Sequence, residues 1–311
     1  MVRSTGTWYD VVLENGSRIK GRAKGKLRLL DVKATNPVAV GDWVEISLEE
    51  NDPSSGVIVE VLDRKNYLVR ESPRKKYSRH ILAANLDQAM LVTTIKQPNL
   101  KIGFIDRFLI SCEAYHVPPV LIFNKVDLLQ KEKDKNLLEE TVQLYESIGY
   151  KAIKSSAETM EGTEEVKELL KDKVTLIAGH SGVGKSTLVN AIAPGLDLKT
   201  AAISGYTGKG THTTTFATMY ELPFDGWIID SPGIKELSLL DLEPEEVSHY
   251  LPEMRQRLQE CQFNNCMHMN EPGCAIKAAV DSGEVPISRY YNYLGIVDDI
   301  QQRDHWEYKD T

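Results

Sequence analysis

Apolar and polar residues alternate in short runs through residues 1–72, and Gly, Asn and Asp break the runs. Tyr9 to Ala23, "YDVVLENGSRIKGRA", reads as a β-hairpin turning at Asn15-Gly16. "GDWVEISLEE" and "SSGVIVEVLDR" read as further strands, separated by Asn51-Asp52-Pro53. Short strands at this spacing predict a small closed or nearly closed β-barrel, with an OB-fold and an SH3-like barrel both compatible.

A basic linker containing Pro73 follows, and from Leu86 the period changes. "LDQAMLVTTI", "VPPVLIFN", "YKAIKSSA" and "VTLIAG" read as strands. Between them, "FIDRFLISCEAY", "NLLEETVQLYESIG" and "TEEVKELLKDK" carry helical periodicity, and Gly149 closes the second helix. Strict alternation of strand and helix predicts an α/β unit with a mainly parallel sheet. From about Leu240 the pattern becomes helical and irregular around a group of cysteines. The expected division is an OB-fold-like barrel over 1–72, an α/β unit over 73–240 and a helical unit over 241–311, which suits a chain of 311 residues.

Composition narrows the class. No apolar run approaches the roughly 18 residues a membrane helix needs, and "MVRSTGTWYD" lacks the apolar stretch of a signal peptide. A cytoplasmic protein without membrane contact, monomeric by default, is expected. The net charge of −8 argues against a nucleic-acid binder that relies on global charge. Locally the charge reverses: Arg18, Lys20, Arg22, Lys24, Lys26 and Arg28 recur at alternate positions, and Arg74, Lys75, Lys76 and Arg79 form a second group. A local patch suffices for phosphate contacts, so RNA stays among the possible partners.

Three stretches carry nucleotide chemistry. Gly179-His180-Ser181-Gly182-Val183-Gly184-Lys185-Ser186 fits G-x-x-x-x-G-K-[ST] between a predicted strand and a helix that continues through Thr187. Glycines let backbone N–H groups approach phosphate oxygens, Lys185 is expected on the β- and γ-phosphates, and Ser186 on Mg²⁺. Asn124-Lys125-Val126-Asp127 ends a strand, where α/β sheets place ligand contacts. Asp127 is suited to accept hydrogen bonds from N1–H and N2–H₂ of guanine, which adenine lacks, so the wrong base loses about 10⁴-fold or more in binding. Lys125 is expected to lie along the base and Asn124 to brace the phosphate loop. Ser156-Ala157 looks like the short element whose backbone N–H reads guanine O6. Asp230-Ser231-Pro232-Gly233 matches D-x-x-G, with Asp230 expected on Mg²⁺ through water and the Gly233 N–H at the γ-phosphate.

Ile234 stands where many GTPases carry the Gln that orients the attacking water, so another group must serve. In "SGYTGKGTHTTTF", one of Thr213, Thr214 and Thr215 is expected to close on Mg²⁺ and γ-phosphate, with Thr214 favoured. His212 is the candidate to orient that water or take its proton. A separate group, Cys261, Cys266, His268 and Cys274, has the donor set of a closed tetrahedral zinc site, structural because no position is left for water. Cys112 lies on the apolar face of a helix and is expected in the core.

The base reader precedes the phosphate loop, the reverse of the usual order. Cutting the chain after D-x-x-G and joining the old ends yields this order with the same sheet, a circular permutation.

With these motifs in this order, the chain resembles the circularly permuted, small-ribosomal-subunit-dependent GTPases of bacteria, the RsgA or YjeQ type. The match rests on NKVD at Asn124 to Asp127, GHSGVGKST at Gly179 to Thr187, GKGTHTTT at Gly208 to Thr215, DSPG at Asp230 to Gly233, and the Cys261, Cys266, His268, Cys274 set. The resemblance implies an N-terminal OB-fold, GTP/GDP with Mg²⁺, one structural Zn²⁺, and GTP hydrolysis stimulated by the small (30S) ribosomal subunit and its rRNA during late maturation, with hydrolysis driving release. It implies a catalytic role for His212. Gly182 occupies the position of an Asn in potassium-activated GTPases, so no potassium dependence is expected through it. The competing expectation is a GTP-gated RNA- or protein-binding module in which hydrolysis is incidental. A small-molecule kinase conflicts with NKVD.

Overall fold

The structure, a computed structural model, describes residues 1–25, 27, 36–49, 51–71, 79–196, 217–230, 239 and 241–307. The N-terminal strands are β1 (Arg3–Ser4), β2 (Tyr9–Val12), β3 (Arg18–Ala23), β4 (Val44–Glu49) and β5 (Asp52–Val61). They lie in the order β1-β2-β3-β5-β4, with β3 and β5 parallel and the other neighbours antiparallel. This is the five-stranded arrangement expected of an OB-fold. In β3, Ile19 and Gly21 face inward, while Arg18, Lys20 and Arg22 are exposed. Asp52 and Pro53 belong to β5 and do not separate it from β4 as the sequence suggested. Asp52 starts the strand because its carboxylate accepts the Ser54 N–H at 3.0 Å and the Ser54 hydroxyl at 2.6 Å.

Two strands then form a sheet of their own, β6 (Tyr67–Glu71) antiparallel to β7 (Arg79–Ala84). Pattern alone left β7 inside a linker, whereas its residues Ile81 to Ala84 are buried. Arg79 of the second basic group is ion-paired with Asp241 at 2.6 Å. Lys26, Arg28, Arg74, Lys75 and Lys76 lie outside the described residues.

The central unit contains β8 (Gln88–Thr93), β9 (Pro119–Phe123), β10 (Lys151–Lys154), β11 (Val174–Ala178), β12 (Thr218–Glu221) and β13 (Trp227–Asp230). Their order is β10-β9-β8-β11-β13-β12, parallel except for β12. Its helices are α1 (Ile102–Ala114), α2 (Glu132–Ile148), α3 (Thr163–Leu170) and α4 (Lys185–Ile192). Helix α2 ends where Gly149 takes a left-handed conformation, φ +107°. Ile105, Phe108, Leu109 and Cys112 of α1 recur at helical spacing and lie in the main core.

The C-terminal unit begins with a 3₁₀ segment, Pro244–Tyr250, and continues through α5 (Pro252–Arg255), α6 (Ala275–Asp281) and α7 (Ile287–Glu307). Val247, Leu251, Met254, Ile276 and Val297 form its core together with Ile110 of α1. Among the described residues, no helix is long and apolar enough to cross a membrane.

Candidate functional site

Strand β11 stands in the middle of the central sheet, between β8 and β13, and leads directly into the phosphate loop. Two glycines are there for physical reasons. A Cβ on Gly179 (φ +141°) would sit 2.2 Å from the Val92 carbonyl oxygen, and one on Gly184 (φ +91°) would sit 2.6 Å from Asn124 Nδ2. Val183, between them, is buried and anchors the loop in the core. Lys185 Nζ donates to the carbonyls of Gly179 at 2.8 Å and His180 at 3.0 Å, which holds the ammonium over the loop. Gly182 takes φ +83°, Ser186 is half-buried at the start of α4, and Thr187 is exposed beside it.

The base-reading stretch follows β9, which lies on the other side of β8 from β11 in the same sheet, and meets this loop. Asn124 Nδ2 donates to the Val183 carbonyl at 2.9 Å, and Lys125 Nζ donates to the Gly182 carbonyl at 2.6 Å. Lys125 adopts a left-handed backbone, φ +63°, which turns the chain so that Asp127 follows in a short 3₁₀ turn. Ser156 Oγ donates to Asp127 Oδ1 at 2.5 Å and so fixes the carboxylate. The Ser156 N–H is already bonded to the Glu161 carbonyl at 2.9 Å, which leaves the next amide, that of Ala157, as the candidate base contact.

Asp230 ends β13, registered against Ile177 of β11 just before the phosphate loop. Burial pushes its carboxyl above the ordinary carboxylate range, and the nearby Lys185 ammonium pulls it back. A carboxylate buried at the end of this strand is a suitable partner for a divalent cation. His212, Thr213, Thr214, Thr215, Gly233 and Ile234 lie outside the described residues.

Two supporting groups were not legible as such in the sequence. Ser155 Oγ donates to Asn124 Oδ1 at 3.2 Å, and the Gln97 carbonyl accepts Lys125 Nζ at 3.0 Å. Ser155 stood inside a stretch already singled out, but Gln97 gave no local signal because its partner is 28 positions away.

A second site lies in the C-terminal unit. The donor atoms of Cys261, Cys266, His268 and Cys274 all lie within 4.8 Å of one another. A tetrahedral zinc site with bonds near 2.3 Å has ligand–ligand edges of about 3.8 Å, so these residues fit the ion. His268 Nδ1 lies 3.6 Å from Cys261 Sγ and 3.4 Å from Cys274 Sγ and is the nitrogen placed to ligate. The loop is pre-shaped: Glu271 accepts backbone N–H groups of Met267, Met269 and Asn270, and the hydroxyls of Tyr290 and Tyr293 donate to the carbonyls of His268 and Met267. Burial, with the neighbouring Cys274 thiol, pushes the Cys266 thiol up to about 12.

A family model described as RsgA GTPase matches residues 61–240, and one described as RsgA N-terminal domain matches residues 1–58. The small ribosomal subunit biogenesis GTPase RsgA of Bacteroides fragilis (strain YCH46) is 48% identical over 302 residues, covering 97% of this chain and 96% of that one. The protein of the same name from Flavobacterium johnsoniae is 47% identical over 299 residues, covering 95% and 91%. Among solved structures, YjeQ from Thermotoga maritima superposes with a TM-score of 0.77 at 38% identity, covering 96% of each chain. YloQ, a circularly permuted GTPase, superposes with a TM-score of 0.72 at 28% identity, covering 97% of this chain and 94% of that one.

Proposed function

This chain belongs to the RsgA GTPase family, and on that footing we propose that it hydrolyses GTP to GDP and phosphate on the small ribosomal subunit, assisting that subunit's late maturation and leaving once hydrolysis is complete. The observation that carries this reading is the bond from Asn124 Nδ2 to the Val183 carbonyl, 2.9 Å, which joins a guanine reader and a phosphate loop from distant parts of the chain into one pocket rim.

Asp127, oriented by Ser156, accepts the N1–H and N2–H₂ of guanine, and the Ala157 N–H donates to O6. Lys125 packs its stem along the base while its ammonium stays on the Gly182 carbonyl. The loop amides from Gly182 to Thr187 and the Lys185 ammonium neutralise the β- and γ-phosphates, and the N-terminus of α4 adds its partial positive charge. Ser186, Thr214 and, through water, Asp230 would hold Mg²⁺, which would neutralise charge on the phosphate oxygens. His212 orients the attacking water through a neutral imidazole nitrogen. Gly233 senses the γ-phosphate.

The exposed Arg18, Lys20 and Arg22 of β3, with the Arg22 guanidinium 3.9 Å from the Trp8 ring centre, form the surface offered to rRNA phosphates and bases. The zinc-bearing unit supplies a second contact, and its Zn²⁺ is structural. A cytoplasmic monomer divided into units over 1–72, 73–240 and 241–311 completes this reading.

GTP turnover measured alone, with purified small subunits and with large subunits tests the proposal. Stimulation by small subunits only is expected. No stimulation by either removes the ribosome from the mechanism. His212→Ala separates a subunit-assembly GTPase, which then docks but releases slowly, from a GTP-gated binding module, which releases normally.

A further inference from the structure

Helix α1 touches both the phosphate loop and the C-terminal unit. At its start, the Phe104 ring lies against the ring of His180, with centroids 4.1 Å apart and planes tilted by 33°. His180 is part of the phosphate loop, and its carbonyl is one of the two that hold Lys185 Nζ. Two residues further along α1, Asp106 is buried and accepts hydrogen bonds from Arg289 Nη1 at 2.7 Å, Tyr145 OH at 2.8 Å and Asn292 Nδ2. Arg289, fully buried in α7, also donates through Nε to Glu253 of α5 at 2.6 Å. Ile110, one turn on, packs in the C-terminal core, while Ile105, Phe108 and Leu109 pack in the main core.

We propose that α1 is a relay: filling the phosphate loop changes the stability of the C-terminal unit, with the His180–Phe104 contact as input and the Asp106–Arg289–Glu253 network as output. The physical reason is a difference in compliance. A bound diphosphate draws the Lys185 ammonium and the loop amides toward its oxygens, which alters the load on the His180 carbonyl and thereby on the ring pressed against Phe104. Helix α1, packed on two sides, moves as a body. A buried ion network holds one geometry stiffly, because a charge pulled from its partner has no water to replace it, so a loop fixed by a diphosphate steadies α1 and with it the network. Linkage requires the converse as well: anything that steadies the C-terminal unit tightens nucleotide binding by the same factor.

This inference rests on the reading of residues 179–187 as a guanine-nucleotide phosphate site. The Gly233 amide is the group expected at the γ-phosphate. The α1 route responds to the β-phosphate, which GDP and GTP share, so GDP alone is sufficient to drive it.

Amide hydrogen exchange on the zinc-loaded full chain, with and without saturating GDP, tests the relay, with GDP affinity measured in parallel. GDP is expected to slow exchange in α5 and in α7 over residues 287–300 by about fivefold or more. Phe104→Leu, which keeps apolar volume but not the ring, and His180→Ala are expected to abolish that slowing at GDP concentrations that saturate each variant. Two independent variants guard against one that folds poorly. Failure of the wild-type chain to bind GDP overturns the nucleotide reading itself. GDP binding without a change in α5 and α7, a change seen only with a non-hydrolysable GTP analogue, or slowing that survives in both variants each overturns the relay.

Discussion

Arg3 of β1 is registered opposite Thr218 of β12, and through that antiparallel pairing the barrel strands and the nucleotide-binding strands form one eleven-stranded sheet. The Met219 N–H donates to the Val2 carbonyl at 2.8 Å in the same place. One core continues beneath the junction, from Tyr9, Val11 and Ile58 to Leu91, Leu121 and Leu176. The two units are therefore expected to unfold in one calorimetric transition. Asn66 makes a second tie between the units, donating to the Leu86 and His116 carbonyls and accepting the Leu86 N–H. Asn66→Ala leaves those buried groups unpaired and is expected to cost about 3 kcal/mol while preserving a single transition. Two separated transitions in either protein refute the shared-core argument.

Acid is expected to loosen the link beside Asn66. The Asp87 carboxylate accepts from Lys65 and from the Val174 N–H at 2.8 Å. Burial raises its pKa, but the Lys65 hydrogen bond and charge and the Val174 N–H outweigh that and hold it below the usual carboxylate value. A carboxyl held low stabilises the fold above its unfolded value near about pH 4, and that contribution fades as pH falls through the lower folded value. Asp87→Asn should therefore lower Tm at pH 7 and make no difference at pH 2, as read by thermal melts across pH.

Arg289 is expected to be intolerant of single substitution. Arg289→Met strands the buried carboxylates of Asp106 and Glu253 and is expected to cost about 3–5 kcal/mol. Replacing all three by apolar residues of similar volume should cost less than the single change. Chemical denaturation of the three proteins, wild type included, checks both statements.

Zinc uptake should release protons. The three thiols must ionise to bind the ion, and Cys266 is held protonated up to about 12 by burial and its Cys274 neighbour without it. Titration calorimetry in buffers of different ionisation heat is expected to show release of about three protons per ion near pH 7, with affinity falling as pH is lowered. Chelation or Cys266→Ser should melt the segment from Cys261 to Cys274 while leaving GDP binding measurable.

Asp127→Asn replaces an acceptor by a group that also donates. Loss of two charge-assisted bonds is expected to weaken GDP binding about 10²–10⁴-fold, with partial recovery for the xanthine nucleotide, whose C2 carries an acceptor. Ser156→Ala, which frees the carboxylate bonded at 2.5 Å, should cost about tenfold. Competition binding with the two bases decides the matter.

Much of this protein is written locally. Alternation fixed β2 and β3, helical spacing fixed α1 and α2, and the phosphate loop, NKVD and the cysteine group each announce themselves because ligand chemistry demands certain residue types at short, fixed separations. The chain order of those motifs even implied the permuted sheet. What local pattern did not reveal depends on residues far apart. The β6–β7 pair was hidden because β7, "RHILAA", is apolar without alternation and lies beside a basic stretch. Asp52 looked like a turn residue until its serine neighbours were seen to satisfy it. The Arg3–Thr218 register, the Gln97 carbonyl on Lys125 and the Asp106–Arg289 pair have separations that obey no period, so neither partner signals the other. The sequence by itself determined the elements and the chemistry each can offer, because both are set by neighbours along the chain. Only the tertiary structure decided that a single helix carries the phosphate loop on one end and the C-terminal unit on its side, because burial of Asp106 beside Arg289 exists only once the main core and the C-terminal core have closed around them.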